Sequence, residues 1–262
     1  MFRYTNNRLL IIPFIIYILW VLETFLLEGS LGVFTRYQPL PLLLYTIFAN
    51  IIMGIAVPIV CLRSAFISGA INMFQIGFRS LRRTVLAAIV TGLIGYELLV
   101  NFSAFAFNRL ALLNAIVLLI PVAIASVMVC FTLLGTHLQA FVRKRGVSVS
   151  IVTSVIITGV LFGLTGIAHS PPINQTNIIL LLILTGIASA VFFFSVRDVY
   201  ASTLFVTFGM ALVLFKQTDS FYSNQIEPLI YGISLLSIVC LIFCHWYLSK
   251  NFKTIKIPIK AK

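Results

Sequence analysis

LALLNAIVLLIPVAIASVMVCFTLL, residues 110–134, holds no charged side chain. As a helix rising ~1.5 Å per residue it reaches roughly 37 Å, enough to cross a hydrocarbon layer about 30 Å thick. Strands are disfavoured, because a lipid-facing strand must alternate in polarity and close into a barrel, whereas this run is continuously apolar. The run leads into GTHLQAFVRKRG, residues 135–146, where Leu138, Phe141 and Val142 stand beside Arg143, Lys144 and Arg145. That pattern extends the helix out of the bilayer and stops it at Gly146.

The same pattern recurs along the 262 residues, at roughly 9–27, 42–62, 85–107, 110–134, 148–168, 178–196, 199–215 and 228–248. Apolar residues make up 61% of the chain and charged ones only 9%, with mean hydropathy +1.12. A soluble surface needs about a quarter charged, so lipid must be part of the solvent. Of the 18 Lys and Arg, only Arg36, Arg109 and Lys216 fall on one side when these segments are threaded alternately. The other side collects the remainder, including Arg79, Arg82, Arg83, Arg143, Lys144 and Arg145. By the positive-inside rule the expected fold is all-α: a polytopic transmembrane bundle of about eight helices, both termini cytoplasmic, in a bacterial-type cytoplasmic membrane. Residues 1–262 form one integral membrane domain, and 249–262 a basic cytoplasmic tail.

A net charge of +12 would suggest nucleic acid in a soluble protein. Here the cations sit in short breaks between apolar runs, so the expected partners are the bilayer itself and anionic lipid at the inner face. Cys61, Cys130, Cys240 and Cys244 lie in or beside apolar runs and read as small hydrophobes. Cys240 and Cys244 share a helical face from which His245 points away, so no metal site or cofactor is expected. The connector at 64–83 carries Phe66, Met73, Phe74 and Phe78 at near-helical spacing. It fits a helix in the headgroup layer or a partly buried connector.

Polar residues inside the spans are few. Glu97, in TGLIGYELLVNF (91–102), lies halfway along its helix with no cation at similar depth. Two readings stand: a neutral carboxyl tied to Asn101, Thr158 or Thr207, or a relay or catalytic acid. His137 and His169 fall near opposite faces of the bilayer, a poor start for a shared site. Glu23, Glu28, Arg36 and Arg109 read as a rim network on one side. Gly159 and Gly163 make a GxxxG step that Gly166 extends, which points to close helix packing.

Residues 129–215 resemble the core of the CAAX protease and bacteriocin-processing family of intramembrane endopeptidases. LLGTHLQAFVRKRG (133–146) resembles the stretch after that family's glutamate pair. SVIITGVLFGLTG (154–166) resembles the helix with its phenylalanine motif, and ILTGIASAVFFFSVRDVYASTLFVTFGM (183–210) its last two core helices. The resemblance implies a core over 120–215. Phe162 fits the motif, but Val129 and Cys130 stand at the glutamates, Gly166 at the first histidine, and Val206 and Met210 at the last histidine and asparagine. A second register lays YELLVNF (96–102) over the glutamates and keeps Glu97. Neither register completes a site.

What the resemblance implies is a noncatalytic protein that binds or helps assemble a membrane peptide, protein or lipid partner. Two alternatives stand beside it. One is an atypical endopeptidase using Glu97, with His137 or His169 as candidate partners. The other is a transporter or permease component with Glu97 as its protonation site.

Overall fold

The computed structural model describes residues 8–34, 38–69, 71, 73–102, 109–215 and 227–252, and among them every regular element is helical. Helix α1 (Arg8–Thr24) runs on into π-helical turns at Phe25–Gly29. Helix α2 (Pro39–Tyr45) continues through a long π-helical stretch, Thr46–Ala56, into α3 (Val57–Ile67). A short α4 (Met73–Ile76) precedes α5 (Leu81–Phe102). Helix α6 (Arg109–Ser126) passes through a third π stretch, Val127–Gly135, into α7 (Thr136–Val142). Then come α8 (Val147–Leu164), α9 (Thr176–Val196), α10 (Val199–Phe215) and α11 (Pro228–Phe252).

Among the described residues six helical stretches are long and apolar enough to cross a membrane: Leu10–Gly29, Pro39–Ile67, Leu110–Arg145, Val147–Ala168, Thr176–Val196 and Pro228–Lys250. The chain is therefore an all-α, multi-pass membrane protein. Of the eight expected segments, the seventh is the shorter apolar helix Val199–Leu214. The third overlaps α5, whose apolar run begins at Val85 behind Arg82 and Arg83 and carries one charged residue, Glu97. Residues 103–107 of that segment, Arg3, Arg36, Lys216 and the tail from 253 onward lie outside the described residues; 249–252 continue α11.

The stretch from Leu110 to Arg145 is the axis of the bundle. Of its most apolar window 83% is buried, against 28–44% for the other five. At ~1.5 Å per residue it is longer than the hydrocarbon layer is thick, and it ends as its sequence indicates. A 3-10 turn, Arg143–Arg145, leads to Gly146, whose φ of 115° only glycine adopts without strain. Around the axis Phe131 stacks on Phe162 at 5.8 Å and on Phe193 at 6.1 Å between ring centres.

Helices α8 and α9 approach most closely where the glycines allow it. A Cβ on Gly159 would stand 2.6 Å from the Ile187 Cα, and one on Gly163 2.4 Å from the Ile183 Cα. Gly166 is less tight: its nearest neighbour would be the Leu182 side chain at 3.0 Å. The GxxxG step is thus a backbone-on-backbone contact, while Gly166 only borders it.

The basic connectors gather at one end of the bundle. There Val199 N donates to Gly77 O, and Arg79 Nε donates to Arg197 O at 2.9 Å. Arg197, in a left-handed conformation after α9, donates to Gln139 Oε1 at 2.7 Å and lies over the Phe194 ring at 4.5 Å. Burial and the nearby Arg79 push its pKa down to about 10, which leaves it charged at neutral pH. Asp198 is fully buried, accepting from Thr84 Oγ1 at 2.7 Å and Ala201 N at 3.0 Å. Within 64–83, Ile71, Ile76 and Phe78 are buried, and between α3 and α5 the described helical residues are Met73–Ile76. The segment is a partly buried connector, with Phe78 packed against Tyr200 and His245.

Candidate functional site

Glu97 does not join a polar centre. Its side chain is exposed on α5, and among the described residues it makes no hydrogen bond or ion pair. Thr158 donates to Ser154 O at 2.7 Å and Thr207 to Thr203 O at 2.8 Å, so both hydroxyls are engaged within their own helices. The Asn101 side chain lies outside the described residues. The tie expected between Glu97 and Thr158 or Thr207 is therefore corrected. The helix is turned so that Gly95 meets the Phe208 ring while Glu97 faces away.

His137 is buried in α7 with Nδ1 donating to Leu133 O at 2.7 Å, an ordinary turn-to-turn bond. His169 lies at the opposite end of the bundle, so the structure does not bring the two histidines together. Arg82, Arg83, Arg143, Lys144 and Arg145 are exposed and Arg79 is half-buried, all at the basic end.

The polar centre the structure does assemble is at the other end, on Glu28. Glu28 sits in the π turns that finish α1, with no exposed surface. Its Oε2 accepts from His169 Nδ1 at 2.8 Å and from Ser170 N at 2.8 Å, and its Oε1 accepts from Ser170 Oγ at 2.6 Å. Two local features create the contact. Gly29 lets α1 press on the turn after α8, where a Cβ would lie 2.4 Å from Ala168 O. That turn (Thr165–Ala168) then leaves His169 extended, so its ring and the next amide face the carboxylate.

Around the pair, Phe34 covers the His169 ring at 5.8 Å and meets Tyr45 edge-on at 5.9 Å. The Tyr45 hydroxyl lies beside Thr24 and Asn50 and within electrostatic reach of Glu28. Yet Tyr45 Oη, Thr24 Oγ1 and both amide atoms of Asn50 lack a hydrogen-bond partner of sound geometry, although each residue is at most 1% exposed. They are near enough to interact and not aligned. Leaving such groups dry costs about 1–3 kcal/mol each, so this is where water or an ion would be held. On the other flank of His169 a small cavity of about 10 Å³, room for no more than one water, is lined by Phe34, Ser126, Phe162, Thr165, His169 and Met210.

Each of the three π stretches carries a buried polar residue. Glu28 lies in the first π stretch, Thr46 and Asn50 in the second, and Thr132 in the third; all are buried. Wider turns disturb the regular hydrogen-bond ladder and are frequent at functional sites. Among the described residues no group of three His, Cys, Asp or Glu is placed to hold a metal ion. No protein-family model, curated protein or solved structure matches the chain.

Proposed function

We propose that the protein is a transporter or permease component whose protonation site is the Glu28–His169 pair. The observation that carries the reading is a carboxylate with no exposed surface, within 2.8 Å of an imidazole and flanked by unaligned hydroxyl and amide groups. Intramembrane ionisable residues are expensive and mark ion or proton paths. A proton gained or lost by this pair changes the charge of a region screened from water, where the effect on packing is large. Ser170 fixes one edge of the carboxylate, leaving Tyr45, Thr24 and Asn50 to respond when its charge changes.

The reading includes the threading derived from the basic residues: about eight crossings, both ends cytoplasmic, and the Glu28 centre toward the outer face. The test is proton flux into vesicles containing the purified protein. Flux under a pH gradient that Glu28→Gln abolishes supports it. Equal flux in wild type and Glu28→Gln refutes the assignment.

The cavity favours a second reading. It unites Phe162 and Met210, two positions of the endopeptidase-like core, with His169. In that reading His169 and Glu28 polarise the one water the cavity has room for, in place of the family's usual glutamates, and a peptide reaches it from the bilayer by displacing the side chains that line it. Cleavage of a membrane peptide that is lost in both Glu28→Gln and His169→Gln would select it over transport.

A further inference from the structure

A groove of about 200 Å³ runs along the bundle wall between α5, α9 and α10. Val90, Ile94, Leu98, Phe192, Phe208 and Leu212 are among the residues that form it. Its floor is defined by close packing: Phe192 stacks on Phe205 at 4.6 Å and 9°, and Gly95 rests on the Phe208 ring. Its rim is apolar and open, with Val90 47%, Ile94 57% and Leu98 43% exposed. The surrounding face of α5 (Leu86, Ile89, Leu93) is exposed and apolar too, which suits hydrocarbon and not water.

One end of the groove is cationic. Arg83 lies seven residues before Val90 and eleven before Ile94, on the same helical stripe. Its guanidinium is exposed and reaches Val196 O at 3.4 Å, at the end of α9. Arg79 is close enough to Arg83 and to Arg197 for each neighbour to feel its charge. Asp198 is the acid nearest this group, and it already accepts from Thr84 and Ala201. Arg79 and Arg83 therefore lie within electrostatic reach of each other, with Asp198 offsetting part of their charge, and the exposed Arg83 guanidinium is placed to meet a phosphate.

We infer that this face holds one anionic glycerophospholipid, its phosphate at Arg83 and Arg79 and an acyl chain in the groove between α5 and α10. The spacing fits. Arg83 to Val90 is a rise of roughly 10 Å, enough to pass from a headgroup layer about 5–7 Å deep to the start of the hydrocarbon. The inference is independent of proton transfer at Glu28 and stands or falls separately.

The experiment is native mass spectrometry of the purified full chain, titrated with phosphatidylglycerol and, separately, with phosphatidylcholine of the same chains. Wild type should retain one phosphatidylglycerol preferentially. Arg83→Gln should lower that retention about fivefold, the equivalent of about 1 kcal/mol, and leave phosphatidylcholine unchanged. Ile94→Trp, at a surface position that needs no core repacking, should fill the groove and lower retention of both lipids. Arg143→Gln removes an equal charge at the turn between α7 and α8, which lines no part of the groove, and should alter neither. Equal losses for Arg83→Gln and Arg143→Gln would mean diffuse attraction to the basic end and overturn the site. So would full retention in Ile94→Trp.

Discussion

Replacing Glu28 should reveal how strongly the two ends of the 28–169 contact are coupled. The carboxylate accepts three hydrogen bonds, one from His169 and two from Ser170, all without exposure to water. Glu28→Ala strips the acceptor from all three donors at once. Leaving three buried donors without an acceptor costs about 1–3 kcal/mol each before relaxation, so a loss of about 3–5 kcal/mol is expected. Glu28→Gln keeps an acceptor for the two N–H donors, and the Ser170 hydroxyl can rotate to accept from the new amide. What is lost is the charge on two bonds, about 1 kcal/mol each, so the expected cost is about 2 kcal/mol. Only one of the three bonds is shared with His169. In a double-mutant cycle, Glu28→Ala and His169→Ala should therefore show a coupling of about 1.5–3 kcal/mol. Reversible unfolding in mixed micelles, followed by tryptophan fluorescence, measures all four corners. A coupling below about 0.5 kcal/mol, or a Glu28→Gln variant no more stable than Glu28→Ala, would refute the contact on which the proposed site rests.

Further substitutions separate tight contacts from loose ones. Gly163→Ala should destabilise by about 1–3 kcal/mol, since its Cβ would meet Ile183 backbone at 2.4 Å; Gly166→Ala, facing a movable Leu182 side chain, should cost under about 1 kcal/mol in the same unfolding assay. Asp198→Ala removes the acceptor for Ala201 N and strands the Thr84 hydroxyl, so a loss of about 2–3 kcal/mol is expected, with Thr84→Val alone costing less. Glu97→Gln should shift stability by no more than about 0.5 kcal/mol and leave proton flux intact; a loss of flux would restore Glu97 as the protonation site.

The contrast between Glu97 and Glu28 marks where sequence reasoning stops. Position along a membrane helix is readable, because charge and hydropathy report depth. The turns at Gly146 and at 169–172 follow from that, as does the gathering of the basic connectors at one end. Rotation about the helix axis is a different matter. A soluble helix declares its inward face by carrying polar residues on the outer one, but a helix in lipid is apolar all round. Helix α5 offers no such stripe. A carboxylate halfway along it could face a neighbour or the bilayer, and Gly95 on Phe208 fixes the second outcome.

Glu28 and His169 show the same limit from the other side. The sequence puts both at the end of the bundle with fewer basic residues, Glu28 as a rim charge and His169 at the end of its helix. Their contact spans 141 positions and depends on Gly29 admitting the Ala168 carbonyl, a fact of packing that no spacing announces. The π turns that aim Glu28, Asn50 and Thr132 inward are also silent in composition, since a wider turn uses the same residues as an ordinary one. That argument has a measurable consequence. If the π turns at Phe25–Gly29 aim the carboxylate, deleting Leu26 should rotate Glu28 by about 100° and remove it from His169 while α1 still crosses the membrane. The variant should then insert normally but lose as much stability as Glu28→Ala, about 3–5 kcal/mol. Wild-type stability in that deletion would mean the backbone absorbs the register change and the wider turns do not position the site.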